Sequence, residues 1–257
     1  MTRKGTQITY QSAGRNPDGD NRINLKGVPK IKSKKEIKKL SQDEDFFFIH
    51  VSDFETYGID KLTHRHKTFF LLEPNPVTFY FSIAFDVVPQ FEKAKNELSN
   101  LLRCKEQNET HLAIIFSLIF RVASIGILFS FLSIEAFMNQ ELPDYLKIDF
   151  RNKKMTKEDI QRWATFDEKL LSIIPEITKK DFNKRCPKQS STLRKYKTLR
   201  DELVHLKQKK KAFASYNNIY QDILNINLSE LVSIAKSYMN FYRPGTIINF
   251  EIPDNKL

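Results

Sequence analysis

The sequence predicts a mainly α-helical protein: a helical bundle preceded by an N-terminal extension with a few short strands or irregular segments. Three observations carry this. Beyond about residue 82, apolar residues recur at spacings of three and four, the period of a helix with one buried face. Short aromatic, β-prone runs are confined to residues 46–81. Residues 1–45 are rich in Gly, Asn, Asp and Lys and poor in large apolar side chains, too little to bury a core. The expected organisation is therefore a flexible or extended basic arm (1–45), a small aromatic-rich β or irregular segment (46–81) and the bundle (82–257).

Taken in order, DFFFIHV, KTFFLL and VTFYFSI are the three β-prone runs, set apart by turn residues. Residues 83–103 read as an amphipathic helix through Val87, Phe91, Ala94, Leu98 and Leu101. A longer helix is expected over 109–141, stopped by Pro143, and shorter ones over 156–174 and 176–185. Ser190 and Ser191 offer an N-cap for the helix carrying LRKYKTLRDELVHLK. A last helix runs from about Asn227 to Tyr242, before Pro244-Gly245.

Charge narrows the class of partner. The chain is +11 overall, and two tracts hold the excess: thirteen Lys/Arg against three acids over 179–211, and eleven against three over 1–40. Such tracts suit a polyanion, with nucleic acid the first expectation. Cys104 and Cys186 lie far apart and outside metal-ligand spacing, which speaks against a disulfide framework or a zinc module. With no apolar run at its N-terminus, the chain is expected to be cytoplasmic. There is no Gly-rich phosphate loop, Gly-x-Ser-x-Gly or HExxH motif, and no cofactor is expected.

The stretch Leu112–Ile134 is long enough to span a bilayer but carries Arg121 near its middle, a cost of about 2.5–3.5 kcal/mol in lipid. On a helical projection Ser117, Arg121, Ser124, Glu135 and Asn139 fall within about 60° of one line. A polar stripe on an otherwise apolar helix suits the central helix of a bundle with one side opening on a site, so no membrane partner is expected.

The chemistry rests on Arg200-Asp201-Glu202-Leu203-Val204-His205. On a helix, Tyr196, Leu199, Leu203 and Leu206 form the inner face, while Asp201 and His205, at i and i+4, share the outer face with Arg194 and Lys197. Arg200 lies on the border, about 140° from His205. A permanent cation, a titratable imidazole and an acid to orient it are sufficient for phosphodiester cleavage without a metal. Histidine removes the 2′-hydroxyl proton or protonates the leaving oxygen, and the guanidinium fork meets the charge of the phosphorane. A solvated helix face with an Asp–His pair is the plain alternative.

Residues around this motif resemble the HEPN superfamily of ribonucleases and toxins. RDELVH, preceded by YKTL, is similar to its Arg-polar-x-x-x-His motif, FSFLSIEAFMNQELP (129–143) to its Glu-Ala-Phe-x-Asn segment, and FDEKLLSIIPEIT (166–178) to its connecting helix. The resemblance covers about 80–243 and implies a homodimeric bundle with a composite site from two facing motifs. It implies Arg200 and His205 as the catalytic pair, with Asp201 at the polar position where asparagine is more usual. It further implies a toxin, abortive-infection or antiviral-defence setting, with a possible antitoxin or other regulatory partner. Glu135 and Asn139 are expected to support the site, Glu135 by pairing with Arg200 or else with Arg121. Lys207, Lys209 and Lys210 are expected to track an RNA backbone beside Arg194 and Lys197. A non-catalytic dimerising or nucleic-acid-binding module is the alternative.

Two further signals are weaker. Asp53-Phe54-Glu55 after FFFIHV resembles the first motif of DnaQ-like exonucleases, in which a strand offers an Asp-x-Glu pair to two metals, but no second or third motif follows. His64-x-His66 on a strand would turn both rings to one side, yet Arg65 and Lys67 flank it and no third ligand is evident, so no metal site is expected.

Overall fold

A computed structural model describes residues 2–6, 46–52, 55–104, 108–206 and 216–253, and these are mainly helical. The described residues fall into two compact units, one within 46–76 and the other made of 2–6 with those from 77 to 253.

In the first unit, β2 (Phe46–Ser52), β3 (Glu55–His64) and β4 (Lys67–Leu72) form an antiparallel sheet in that order. The turn between β3 and β4 is closed by the pair His64 and Lys67. Arg65 and His66 fill it with left-handed φ of 49° and 63°, the backbone of a two-residue hairpin turn that matches strand twist. His64 and His66 thus flank a turn residue instead of sharing one strand face, which corrects the geometry expected of them. Glu55 is the first residue of β3 and pairs with Ser52 of β2, so it does not continue β2 as an Asp-x-Glu pair on one strand requires; Asp53 lies outside the described residues.

The third aromatic run is not a strand. VTFYFSI forms the first turns of α1 (Pro76–Leu101), which buries Val77, Phe81, Ala84, Val87, Phe91 and Ala94. That spacing of three and four is the helical period, and the burial it allows overrides the β-preference of aromatic residues. The next helix, α2 (Glu109–Glu141), has the expected bounds, with Asn108 accepting from the His111 N–H at 3.0 Å as its N-cap. It is long and apolar enough to cross a membrane, and a third of its most apolar window is buried within the structure. The Ser133 hydroxyl donates to the Val77 carbonyl at 2.7 Å, tying α2 to the start of α1.

A hairpin not foreseen follows: β5 (Lys147–Phe150) and β6 (Lys153–Thr156), turning at Arg151 and Asn152 with φ of 53° and 59°. The single helix expected over 156–174 is broken in two by a pair of capping boxes. Thr156 and Asp159 start α3 (Lys157–Trp163), and Thr165 and Glu168 start α4 (Phe166–Glu168). From there the backbone passes through a π-helical turn (Lys169–Ile173) into α5 (Ile174–Thr178), ended by Lys179 in a left-handed conformation. The Arg151 guanidinium forks onto Glu168 with contacts of 2.6 and 2.9 Å and, with the Thr165 N–H, pulls that carboxyl down to about 2.

After α6 (Phe182–Arg185) comes α7 (Pro187–Val204), which carries the motif. Its cap is Cys186 with proline at the first helical position, not Ser190 or Ser191; Ser190 is buried inside the helix, donating to the Asn183 side chain. A short helix, α8 (Asn217–Asn225), was not anticipated, whereas α9 (Leu228–Tyr242) begins after Asn227 as expected. Helix α9 packs along α2, and an added Cβ at Gly126 would stand 2.8 Å from two Leu228 methyl carbons. Tyr238, fully buried, is ringed by Phe137, Phe182 and Tyr242. Residues 2–6, expected within the arm, form β1 (Thr2–Thr6), antiparallel to β7 (Asn249–Pro253).

Candidate functional site

Helix α7 is amphipathic as its spacing predicts: Leu193, Tyr196 and Leu199 are buried, and the Tyr196 hydroxyl reaches the Asn227 carbonyl and Glu230 at 3.4 Å. This packing sets which side of the helix faces out near its end. Leu203 is half-buried, but Leu206, expected on the inner face, is exposed because the helix ends two residues earlier.

Arg200 sits where three elements meet. Its guanidinium carbon is 5.5 Å from the Phe131 ring of α2 and 6.0 Å from the Phe166 ring of α4, and these two rings meet edge to face at 5.2 Å. Nη1 pairs with Asp201 at 3.1 Å, while Nε is buried with no hydrogen-bond partner among the described residues. The side chain is one-fifth exposed. A guanidinium held on aromatic faces keeps its plane fixed, and partial burial strengthens its field on an incoming anion.

Asp201 does more than follow the arginine. Besides Arg200 it takes the Lys197 ammonium at 2.9 Å, and Lys197 also reaches Asp167 at 3.3 Å. The Asp201 hydrogen bond, with help from Asp167, holds the Lys197 pKa above its ordinary value despite burial. Arg200, Asp201, Lys197 and Asp167 thus form one chain of charges linking α7 to α4. Lys197 was expected to face RNA directly; it is instead half-buried and committed to two carboxylates.

His205 is the residue that caps α7, one position past its last turn, with its N–H on the Asp201 carbonyl at 3.0 Å. Its ring is exposed in an open groove with Thr198, Asp201 and Glu202. The Asp201 carboxylate, expected to orient the imidazole, is turned to Lys197 and Arg200. A second open groove, one turn back along α7, is lined by Ser191, Arg194, Lys195, Lys197, Thr198 and Asp167. Arg194 is exposed there, as expected, and Lys195 adds a cation that the sequence reading passed over. Lys207, Lys209 and Lys210 lie outside the described residues.

The polar stripe of α2 divides. Ser117 and Ser124 donate to carbonyls of their own helix at 2.7 Å, and Arg121 is exposed. Glu135 and Asn139 are half-buried and converge on a residue that sequence reasoning missed, Lys169. This lysine is 2% exposed, and its ammonium donates to Asn139 Oδ1 at 2.9 Å and to the Gln161 carbonyl at 3.3 Å. Burial lowers its pKa, and the Glu135 charge opposes that shift. The cation expected opposite Glu135 was Arg200 or Arg121, but Lys169 is the one its charge acts on, while Arg200 pairs with Asp201. The π-helical turn that begins at Lys169 is the one local signal of an unusual position.

Among the described residues no group of three or more His, Cys, Asp or Glu could hold a metal ion. What the arrangement offers chemically is a partly buried guanidinium at Arg200 and an exposed imidazole at His205, linked through Asp201, which pairs with Arg200 and lines the groove of His205. Comparison with known proteins finds no family model, no curated relative and no solved structure that matches this chain.

Proposed function

We propose that this chain is a metal-independent endoribonuclease of the HEPN type, working as a homodimer on RNA in a toxin or antiviral-defence setting. The observation that carries the reading is the Arg200 guanidinium, seated on Phe131 and Phe166 and paired with Asp201, a residue that lines the groove of His205. In this reading a phosphate docks on the exposed edge of Arg200. An imidazole removes the 2′-hydroxyl proton, the alkoxide attacks phosphorus, and a second imidazole protonates the departing 5′-oxygen. One motif has a single histidine, so a twofold partner would supply the other. The products would be a 2′,3′-cyclic phosphate and a 5′-hydroxyl. Arg194 would guide the backbone, joined by Lys207, Lys209 and Lys210, while Glu135 and Asn139 would support the site through Lys169. The reading takes the protein as cytoplasmic, with a regulatory protein or antitoxin as a further partner and with neither membrane nor cofactor.

A specific observation favours a second reading, a non-catalytic module that binds nucleic acid. The Asp201 carboxylate is engaged by Lys197 and Arg200 instead of orienting the imidazole. One experiment separates the two. Single-stranded RNA is incubated with wild type and His205→Ala in EDTA, and product ends are identified. The ribonuclease reading expects cyclic phosphate ends and a loss of about 100- to 10,000-fold in the variant, the usual contribution of a general acid or base. Because His205 is exposed, its truncation should leave stability within about 0.5 kcal/mol. Equal cleavage by the variant refutes the mechanism. Binding without cleavage by the dimer favours the module, and metal-dependent activity on DNA favours chemistry at Asp53 and Glu55.

A further inference from the structure

The chain has a single tryptophan, Trp163, and it is more than half exposed, at 56%. It is the last residue of α3, a helix capped at its start by Thr156 and closed at its end by the Ala164 N–H on the Ile160 carbonyl at 3.1 Å. The Arg162 guanidinium lies 4.8 Å from the centre of the indole ring, and Arg162 is itself exposed. A large ring left in water is costly, and here it is held at a fixed helix end beside a cation.

Its position ties it to the site. Three residues on is Phe166, whose ring lies 6.0 Å from the Arg200 guanidinium carbon. Three residues of chain span at most about 11 Å. Two residues back, the Gln161 carbonyl accepts from buried Lys169, so α3 is pinned to the corner that carries Glu135 and Asn139. An oligonucleotide with a phosphate at Arg200 therefore has an aromatic face and a further cation within a short reach.

We infer that Trp163 and Arg162 form a base-stacking platform for single-stranded RNA, flanking the Arg200 site; this rests on the ribonuclease or RNA-binding reading of that site. Exposed aromatic rings with adjacent cations bind single strands because every base has a π-face, and duplexes, whose bases are already stacked, gain little from such a ring. Arg162 complements the backbone charge, which is why the occupant is a nucleic acid and not an apolar protein surface.

The test reads binding apart from cleavage. A 2′-O-methyl oligouridine, which lacks the nucleophile and stays intact, is titrated into the full chain while tryptophan emission is followed. With one tryptophan, any change reports Trp163. The expected result is saturable quenching, with a duplex of the same length quenching far less. By anisotropy of the labelled oligonucleotide, Trp163→Ala should weaken binding about 5- to 100-fold. Trp163→Phe, which keeps a π-face, should recover most of that loss, and both variants should melt within a few degrees of wild type. Unchanged emission during binding, equal affinity of Trp163→Ala, or no binding at all overturns the platform. So does emission that changes on dilution of the protein alone, which would show a second copy covering the ring. Quenching in a protein that never cuts RNA keeps the platform and removes the ribonuclease reading; cleavage with a silent Trp163 does the reverse.

Discussion

Replacing Arg200 separates its structural worth from its chemical worth. In Arg200→Ala the protein loses two cation–π contacts, at 5.5 and 6.0 Å, each worth about 0.5–2 kcal/mol for a partly desolvated pair. It also loses a partly exposed ion pair with Asp201, worth about 0–1 kcal/mol. Against this, the buried Nε, which has no hydrogen-bond partner among the described residues, no longer bears a desolvation cost of about 1–3 kcal/mol. The opposing contributions nearly cancel, so net destabilisation should stay under about 2 kcal/mol, or roughly 4–8 °C in Tm for a chain of this size. Loss of a preorganised donor to a developing oxyanion lowers a rate by about 100- to 1,000-fold. Arg200→Lys keeps the charge but not the planar fork or the stack, and should recover less than about a tenth of the activity. Cleavage of single-stranded RNA in EDTA and thermal melting of the three proteins are the measurements. Arg200→Lys cutting within about twofold of wild type, or Arg200→Ala failing to fold, would refute this division.

Two other expectations follow from the packing. Lys169 has its pKa lowered by burial, so the folded protein releases this proton before the unfolded chain does at the ordinary value of 10.5. The unfolded state then binds more protons, and stability from this group rises with pH between its folded value and 10.5. Tyr242, pushed up to about 12 by burial, acts in the opposite sense above 10, so the lysine is read as the difference between wild type and Lys169→Met. Denaturant midpoints of the two should diverge in favour of wild type as pH rises toward 10, and parallel curves would show that Lys169 keeps its ordinary pKa. Gly126→Ala should destabilise by about 1 kcal/mol, because overpacking against buried Leu228 at 2.8 Å, about 1–3 kcal/mol, outweighs a helix-propensity gain of about 1 kcal/mol. Chemical denaturation checks it, and a variant as stable as wild type would mean that Leu228 has room to move.

How far each element was readable depended on how local its signal is. The helices over 109–141 and 227–242 were legible because cap, apolar period and terminator lie within the segment itself. The break at Thr165 was also written locally, in Thr156-x-x-Asp159 and Thr165-x-x-Glu168, but continuous helical spacing over 156–174 masked it. VTFYFSI misled for a physical reason. Aromatic residues suit strands only when the pleat buries them, and here Val77, Phe81 and Ala84 are buried at helical spacing. The Ser190–Ser191 cap lost to Pro187, whose fixed φ starts the helix one turn sooner.

What the sequence determined by itself is the helical class and the chemistry available on one helix: a cation at 200, an acid at 201 and an imidazole at 205. Those follow from residue type and from a period that operates within a few residues. Only the tertiary structure decided which charge meets which. Phe131, Phe166 and Arg200 come from three separate elements, as do Asn139, Gln161 and Lys169. The Asp201 carboxylate could have turned to His205 or to Lys197, and local geometry allowed both. The approach of Asp167 on α4 to Lys197 on α7 settled it, because a half-buried ammonium is stabilised by two carboxylates and an exposed imidazole needs neither.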